Sequence, residues 1–132
     1  RQGALARERV DPQLIKKEID EADSDLHDAE QSFAAANHKW TIIQSYYAMF
    51  HAAKAVLFSL GLREKKHYAI TIVLEQLSKD GKLEQRYVHD FAGTRHEREE
   101  ADYHYTHNEG MARDALSAAR DFVKRMKQLL KK

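Results

Sequence analysis

The chain has 132 residues, 42% of them hydrophobic and 33% charged, which suits one domain with a real core and excludes two of ordinary size. Its 22 basic and 21 acidic residues leave a formal charge of +1, so attraction to nucleic acid has to come from local clusters rather than a global field. With no cysteine, disulfides and thiolate metal sites are excluded.

"RQGALARERV" opens the sequence with polar and basic residues; it reads as a flexible or partly helical segment over 1–10, without the apolar run of a signal peptide. No stretch is apolar for long enough to span a bilayer. The expectation is a cytoplasmic protein with no membrane partner, its residues 11–132 forming a single domain. Asp11-Pro12 looks like an N-cap followed by proline at the first helical position. From there Ile15, Ile19, Ala22, Leu26, Ala29 and Phe33 recur at spacings of four and three, which predicts a first helix ending near Asn37.

"HKWTIIQSYYAMFHAAKAVLFSL", residues 38–60, is apolar over most of its circumference and predicts a central helix packed on several sides, stopped by Gly61. After a basic loop, "YAITIVLEQLSK" has a β-branched run that could suit a strand. A lone strand would leave its backbone unpaired, so helix is the better reading. A fourth helix is expected from about Leu83 to Tyr103. The last should begin near Thr106, where "THNE" has the form of a capping box; its apolar positions run from Ala112 to Leu129. The expected fold is all-α, an antiparallel up-and-down bundle of about five helices.

The fourth helix carries the chemistry. At about 100° per residue, Tyr87, Val88, Phe91 and Ala92 share one face, and the next turns put Arg95, Arg98 and Asp102 on it. His89, His96 and, if the helix continues so far, His107 project to the solvent side. Arg98 and Asp102, four apart, could be an ordinary surface pair worth about 0.3–0.5 kcal/mol. In line with a core stripe they point instead to a recessed site or an interface, because unpaired charge facing a core is costly. On the central helix Tyr46 and Tyr47 read as core aromatics, and His51 as a boundary histidine that could line a cleft shared with the fourth helix. The basic stretches "REKKH" and "KRMKQLLKK" read as a solvated loop and a helix end, and become a phosphate track only if they lie beside Arg95 and Arg98.

Two stretches together, "SYYAMFHAAKAVLFSLGLREKKHYAI" and "GKLEQRYVHDFAGTRHEREEADYHY", resemble the small stand-alone HEPN (higher eukaryotes and prokaryotes nucleotide-binding) proteins of prokaryotes. The resemblance covers the chain from about Asp11. It implies a helical bundle that forms a homodimer, and for many such proteins a metal-independent ribonuclease acting as the toxin of a toxin-antitoxin pair, often encoded beside a minimal nucleotidyltransferase. The active members carry Arg-x(4–6)-His near the end of this helix, and Arg98 and His104 match that spacing. A guanidinium can hold phosphate oxygens while histidine transfers a proton near neutral pH, and attack by the RNA's own 2′-hydroxyl needs no metal or other cofactor.

The resemblance thus assigns catalysis to Arg98 and His104, while the reading of the helix faces adds Arg95, Asp102 and His51 as substrate-binding candidates. It also has a departure: where paired toxins often read Arg-x4-His-x-Tyr, this chain has Tyr103 and Tyr105 after Arg98, with the histidine displaced by one. An unbroken helix would set His104 about 120° from Arg98, so the motif needs the helix to end there or a second copy to supply the histidine. The alternative is a non-catalytic HEPN module binding RNA, nucleotide or the nucleotidyltransferase, for which Tyr105, and in reserve Tyr103, would be the modified residue. Zinc on His104, His107 and Asp102 is a weaker competitor, and no metal site is expected. Glycine-rich phosphate loops and serine-histidine-acid signatures are not recognisable.

Overall fold

Proline at the first position of a helix has no useful N–H to lose and a φ already helical; Pro12 opens α1, Pro12–Ala34, with the Asp11 carboxylate accepting from the Gln13 N–H at 2.9 Å. The computed structural model describes residues 3–131; Arg1, Gln2 and Lys132, assigned above to the N-terminal segment and the last helix, lie outside the described residues. Helix α1 stops where Ala36 takes φ +60° and the Asn37 N–H turns back to the Ser32 carbonyl at 2.8 Å. Helix α2, His38–Ser59, then returns antiparallel along α1. It is buried on most sides, from Thr41 and Ile42 to Leu57 and Phe58, and packs against every other helix.

The N-terminal segment differs from expectation. Leu5–Arg7 is a strand, β1, paired antiparallel with β2, Leu62–Glu64, which lies inside what the sequence suggests is a basic loop. The pairing gives both backbones the partners they would otherwise lack, and it seats Leu5 and Leu62 on the core with Ala4 fully enclosed. The junction explains Gly61: its φ is +74°, and a Cβ there would meet the Glu8 carbonyl at 3.2 Å. No side chain suits that corner.

Helix α3, Tyr68–Lys79, is indeed helical despite its β-branched run, and Gly81 at φ +74° ends it. Helix α4 covers Gln85–Tyr103, and α5 covers Glu109–Leu130. The capping box expected at Thr106 does not form. Its hydroxyl reaches only the His104 carbonyl, at 3.4 Å, and the cap is Asn108, whose side chain accepts from the Met111 N–H at 2.9 Å. Residues 104–107 are needed to reverse the chain between α4 and α5, so the cap falls two positions later.

The described residues therefore form an all-α antiparallel bundle of five helices with one short ribbon. Tyr46, Met49, Leu57, Ile70, Phe91, Phe122 and Met126 belong to the main core, each large side chain contributing about 1.5–3 kcal/mol by burial. A smaller cluster of Ile42, Ala101, Ala112 and Ala115 closes the end where α2 starts, α4 finishes and α5 begins. Its alanines bring the three helices close together there, beneath the residues of the candidate site.

Candidate functional site

The buried face of α4 runs Tyr87, Phe91, Thr94, Arg98, Ala101, alternating steps of four and three as a helix on a core must. Thr94 rather than Ala92 continues the stripe; Ala92 is exposed. Arg98 keeps only 9% of its surface exposed. Its Nη1 donates to the Tyr103 hydroxyl at 3.4 Å and lies 3.6 Å from Asp102 Oδ2, so the expected pair with Asp102 forms. Around the guanidinium stand three rings, Tyr46, Tyr47 and Tyr103, with centroids 5.3, 5.6 and 5.7 Å from its carbon.

This packing leaves the arginine charged. Burial works against the ionised guanidinium, yet the Tyr103 hydrogen bond and the hydroxyls of Tyr47, Tyr103 and Tyr46 outweigh it, and the Arg98 pKa stands above its ordinary value. Burial in turn pushes the Tyr46 phenol up, with Arg95 and Arg98 offsetting part of the rise. The buried Nε of Arg98 has no hydrogen-bond partner. The guanidinium thus has aromatic faces around it, one carboxylate beside it and a buried donor left without a partner.

The other candidates are distributed around it. Arg95 is half-buried, its Nε 3.7 Å from Glu99 Oε2, and borders a groove of about 450 Å³ between α3 and α4 lined also by Tyr68, Ile72, Ala92 and His96. His104 is the exposed C-cap of α4; its N–H still makes the helical bond to the Glu100 carbonyl at 3.0 Å, and its Nδ1 lies 3.1 Å from Glu100 Oε2. Tyr103 and Tyr105 are both exposed. His89 and His96 face solvent as the periodicity implies; His107, beyond the end of α4, is exposed in the connection to α5. In the C-terminal basic stretch, Arg125 pairs with Glu84 at 2.8 Å and Lys127 with Asp23 at 2.7 Å.

His51 does not join Arg98. Its ring turns to α1, with Nδ1 2.6 Å from Glu18 Oε1 and Nε2 3.8 Å from Asp25 Oδ2. Burial raises Glu18, but the His51 hydrogen bond and the charge of Lys54 outweigh it and hold the carboxyl low; Asp25 goes up with burial, offset only in part by His51. Glu21, Asp25 and His51 place ligand atoms within 4.8 Å of one another and are, among the described residues, the group that could hold a divalent cation. His104, His107 and Asp102 are not so grouped.

The sequence reading missed the tyrosine surround of Arg98. Periodicity on α4 places Arg98 inward, but nothing in the order of residues says that Tyr46 and Tyr47, on another helix, are what it meets. No curated protein matches the chain. A family model described as the HEPN domain matches residues 15–129, which spans α2, α3 and α4 entire and nearly all of α1 and α5, and so the chain belongs to the HEPN domain family.

Proposed function

We propose that the chain is a homodimeric HEPN module that binds RNA or nucleotide at the C-terminal end of α4. Family membership supports a nucleotide- or RNA-related role. The observation that carries the finer reading is Arg98, a buried guanidinium with an unpartnered Nε, lodged among tyrosines. The Nε is closed off from solvent, so a phosphate would reach the guanidinium by displacing Tyr103 or Asp102 from it, and Arg95 on the next turn would add a second positive charge. A two-fold contact between α4 helices would set two such arginines side by side.

The test is binding of a labelled RNA, and of a nucleoside triphosphate, to the parent protein, Arg98→Lys and Arg95→Gln, with the mass in solution followed by light scattering. Loss of binding in Arg98→Lys with its helical circular dichroism intact supports the reading. Equal binding by the parent and Arg98→Lys would overturn the site.

A second reading is favoured by one observation: α4 ends at Tyr103, so His104 is an exposed C-cap at the tip of the helix, open to a second copy. On this reading the protein is a metal-independent endoribonuclease, the toxin of a toxin-antitoxin pair, with Arg98 stabilising charge at phosphorus and His104 transferring the proton. Within one chain His104 pairs with Glu100 while Arg98 pairs with Asp102 and Tyr103, so the histidine would act on the arginine of a second copy. Cleavage of RNA in excess chelator, lost in His104→Ala, would favour this reading over binding alone. For a minimal nucleotidyltransferase partner, the exposure of Tyr105 supports it as the acceptor ahead of Tyr103, whose hydroxyl is engaged by Arg98. Intact mass after incubation with such an enzyme, repeated with Tyr105→Phe, checks the assignment.

A further inference from the structure

We propose that Tyr105 and Trp40, with Lys39 between them, form a base-stacking site for single-stranded RNA; the proposal deepens, and rests on, the RNA-binding reading above. The three residues come from two places in the sequence, the first turn of α2 and the connection between α4 and α5. Folding brings them together: the Lys39 ammonium lies 5.7 Å from the Trp40 ring centroid and 5.5 Å from that of Tyr105. Both rings are open, Trp40 at 46% and Tyr105 at 75% exposure. Exposed aromatics gathered around a lysine, rather than around aliphatic side chains, offer faces that an apolar core would have consumed.

The backbone holds Tyr105 in this display. It has φ +58°, a conformation that costs a bulky residue about 1 kcal/mol or more and that this chain elsewhere gives to Gly61, Gly81 and Ala36. Hydrogen bonds on either side fix it, since the N–H groups of His104 and Thr106 both reach the Glu100 carbonyl at 3.0 Å. The ring is therefore carried on the end of α4 rather than on a free loop. Charge suits the same occupant: the first turn of α2 contains His38 and Lys39 and no acid. A base laid on a ring would bring its phosphate within reach of the Lys39 ammonium. Duplex RNA presents base edges and not faces, which selects single strands. Tyr103, two residues from Tyr105, holds Arg98 through its hydroxyl, so the stacking site and the arginine site belong to one end of the bundle.

Trp40 is the single tryptophan of the chain, and its emission reports the site directly. The parent protein is titrated with a short unstructured RNA, a blunt RNA duplex of the same length, and a strand of the same length with abasic positions. We expect quenching by the first alone. By fluorescence anisotropy of labelled RNA, Tyr105→Ala should weaken binding by about 5- to 100-fold, the range of one stacked base, and Trp40→Leu should weaken it as well. Tyr105→Phe, which keeps the ring and loses the hydroxyl, should stay within about twofold. Single-strand binding that is unchanged in Tyr105→Ala and Trp40→Leu, or equal binding of the abasic strand or the duplex, overturns the stacking site and leaves the RNA-binding reading standing. A parent protein that binds none of the RNAs overturns both.

Discussion

The guanidinium carbon of Arg98 stands 5.3 Å from the centroid of Tyr46, a ring with only 1% of its surface exposed. The arginine is thus a member of the core boundary as well as a candidate ligand group, and its substitution has a folding cost separable from any loss of binding. Arg98→Ala removes the stem from the three tyrosines and leaves Asp102 without its cation; we expect a loss of about 2–3 kcal/mol in urea unfolding. Arg98→Lys keeps the charge but not the flat face against the rings, and should lose about 1–2 kcal/mol. A loss below about 0.5 kcal/mol for Arg98→Ala would show that the guanidinium is not part of the packing.

The helix starts give a second measurement. Asp11 and Asn108 each satisfy a backbone N–H of the first turn they precede, so Asp11→Ala and Asn108→Ala should each cost about 1 kcal/mol. Thr106→Ala, at the residue that merely looks like a cap, should stay within about 0.5 kcal/mol. The reverse order for Asn108 and Thr106 would place the start of α5 at the earlier residue.

Ala36 ends α1 with φ +60°, a conformation that glycine adopts without a Cβ penalty. Ala36→Gly is expected to stabilise the protein by about 0.5–1 kcal/mol at a position outside the candidate site. Thermal melting checks the sign.

Along the opposite side of α4, carboxylates face carboxylates. Burial, then Asp114, pushes Glu97 up, and His96 offsets only part; burial likewise raises Asp90, with Arg86 lowering it and Asp121 raising it. A carboxyl whose folded pKa lies above its unfolded value binds protons more tightly when folded. Stability is then fully retained below the unfolded value of 4.5 for Glu97 and declines as pH rises from there through the folded pKa. Glu97→Gln removes the charge that is penalised, so its melting temperature should exceed the parent's at pH 7 and the difference should close below about pH 4. A difference that persists unchanged at low pH would trace the effect to packing instead.

Much of this bundle could be read from the spacing of apolar residues. Ile15 to Phe33 and Ala112 to Leu129 repeat at helical intervals, and α1 and α5 lie where those intervals put them. Arg98 was legible as an inward residue for the same reason, and Asp102 as its neighbour on the next turn. The ribbon was not, because Leu5–Arg7 and Leu62–Glu64 are each too short to show alternation, and their pairing is a relation between distant segments. That His51 faces α1 and not α4 was not legible either, because α2 is apolar nearly all round, which leaves periodicity no contrast by which to orient one polar residue. The meeting of Lys39 with Tyr105 depends on the reversal at residues 104–107, a loop geometry that no repeat encodes.

That same ribbon sets an order of assembly. Joining Leu5 to Glu64 encloses the whole of α1 and α2 in one long loop, whose closure is entropically unfavourable for an open chain. Once α1 and α2 lie antiparallel, however, the start of one and the end of the other are already neighbours, and the strands need only zip over a short remaining gap. The clasp therefore forms after the helical hairpin and is the first element to release. In native-state hydrogen exchange the amides of Glu8 and Lys65, which bond across this clasp to Gly61 and Ala4, should exchange through local opening well before those of Met49 and Ala53 at the centre of α2, which wait for the whole molecule to unfold.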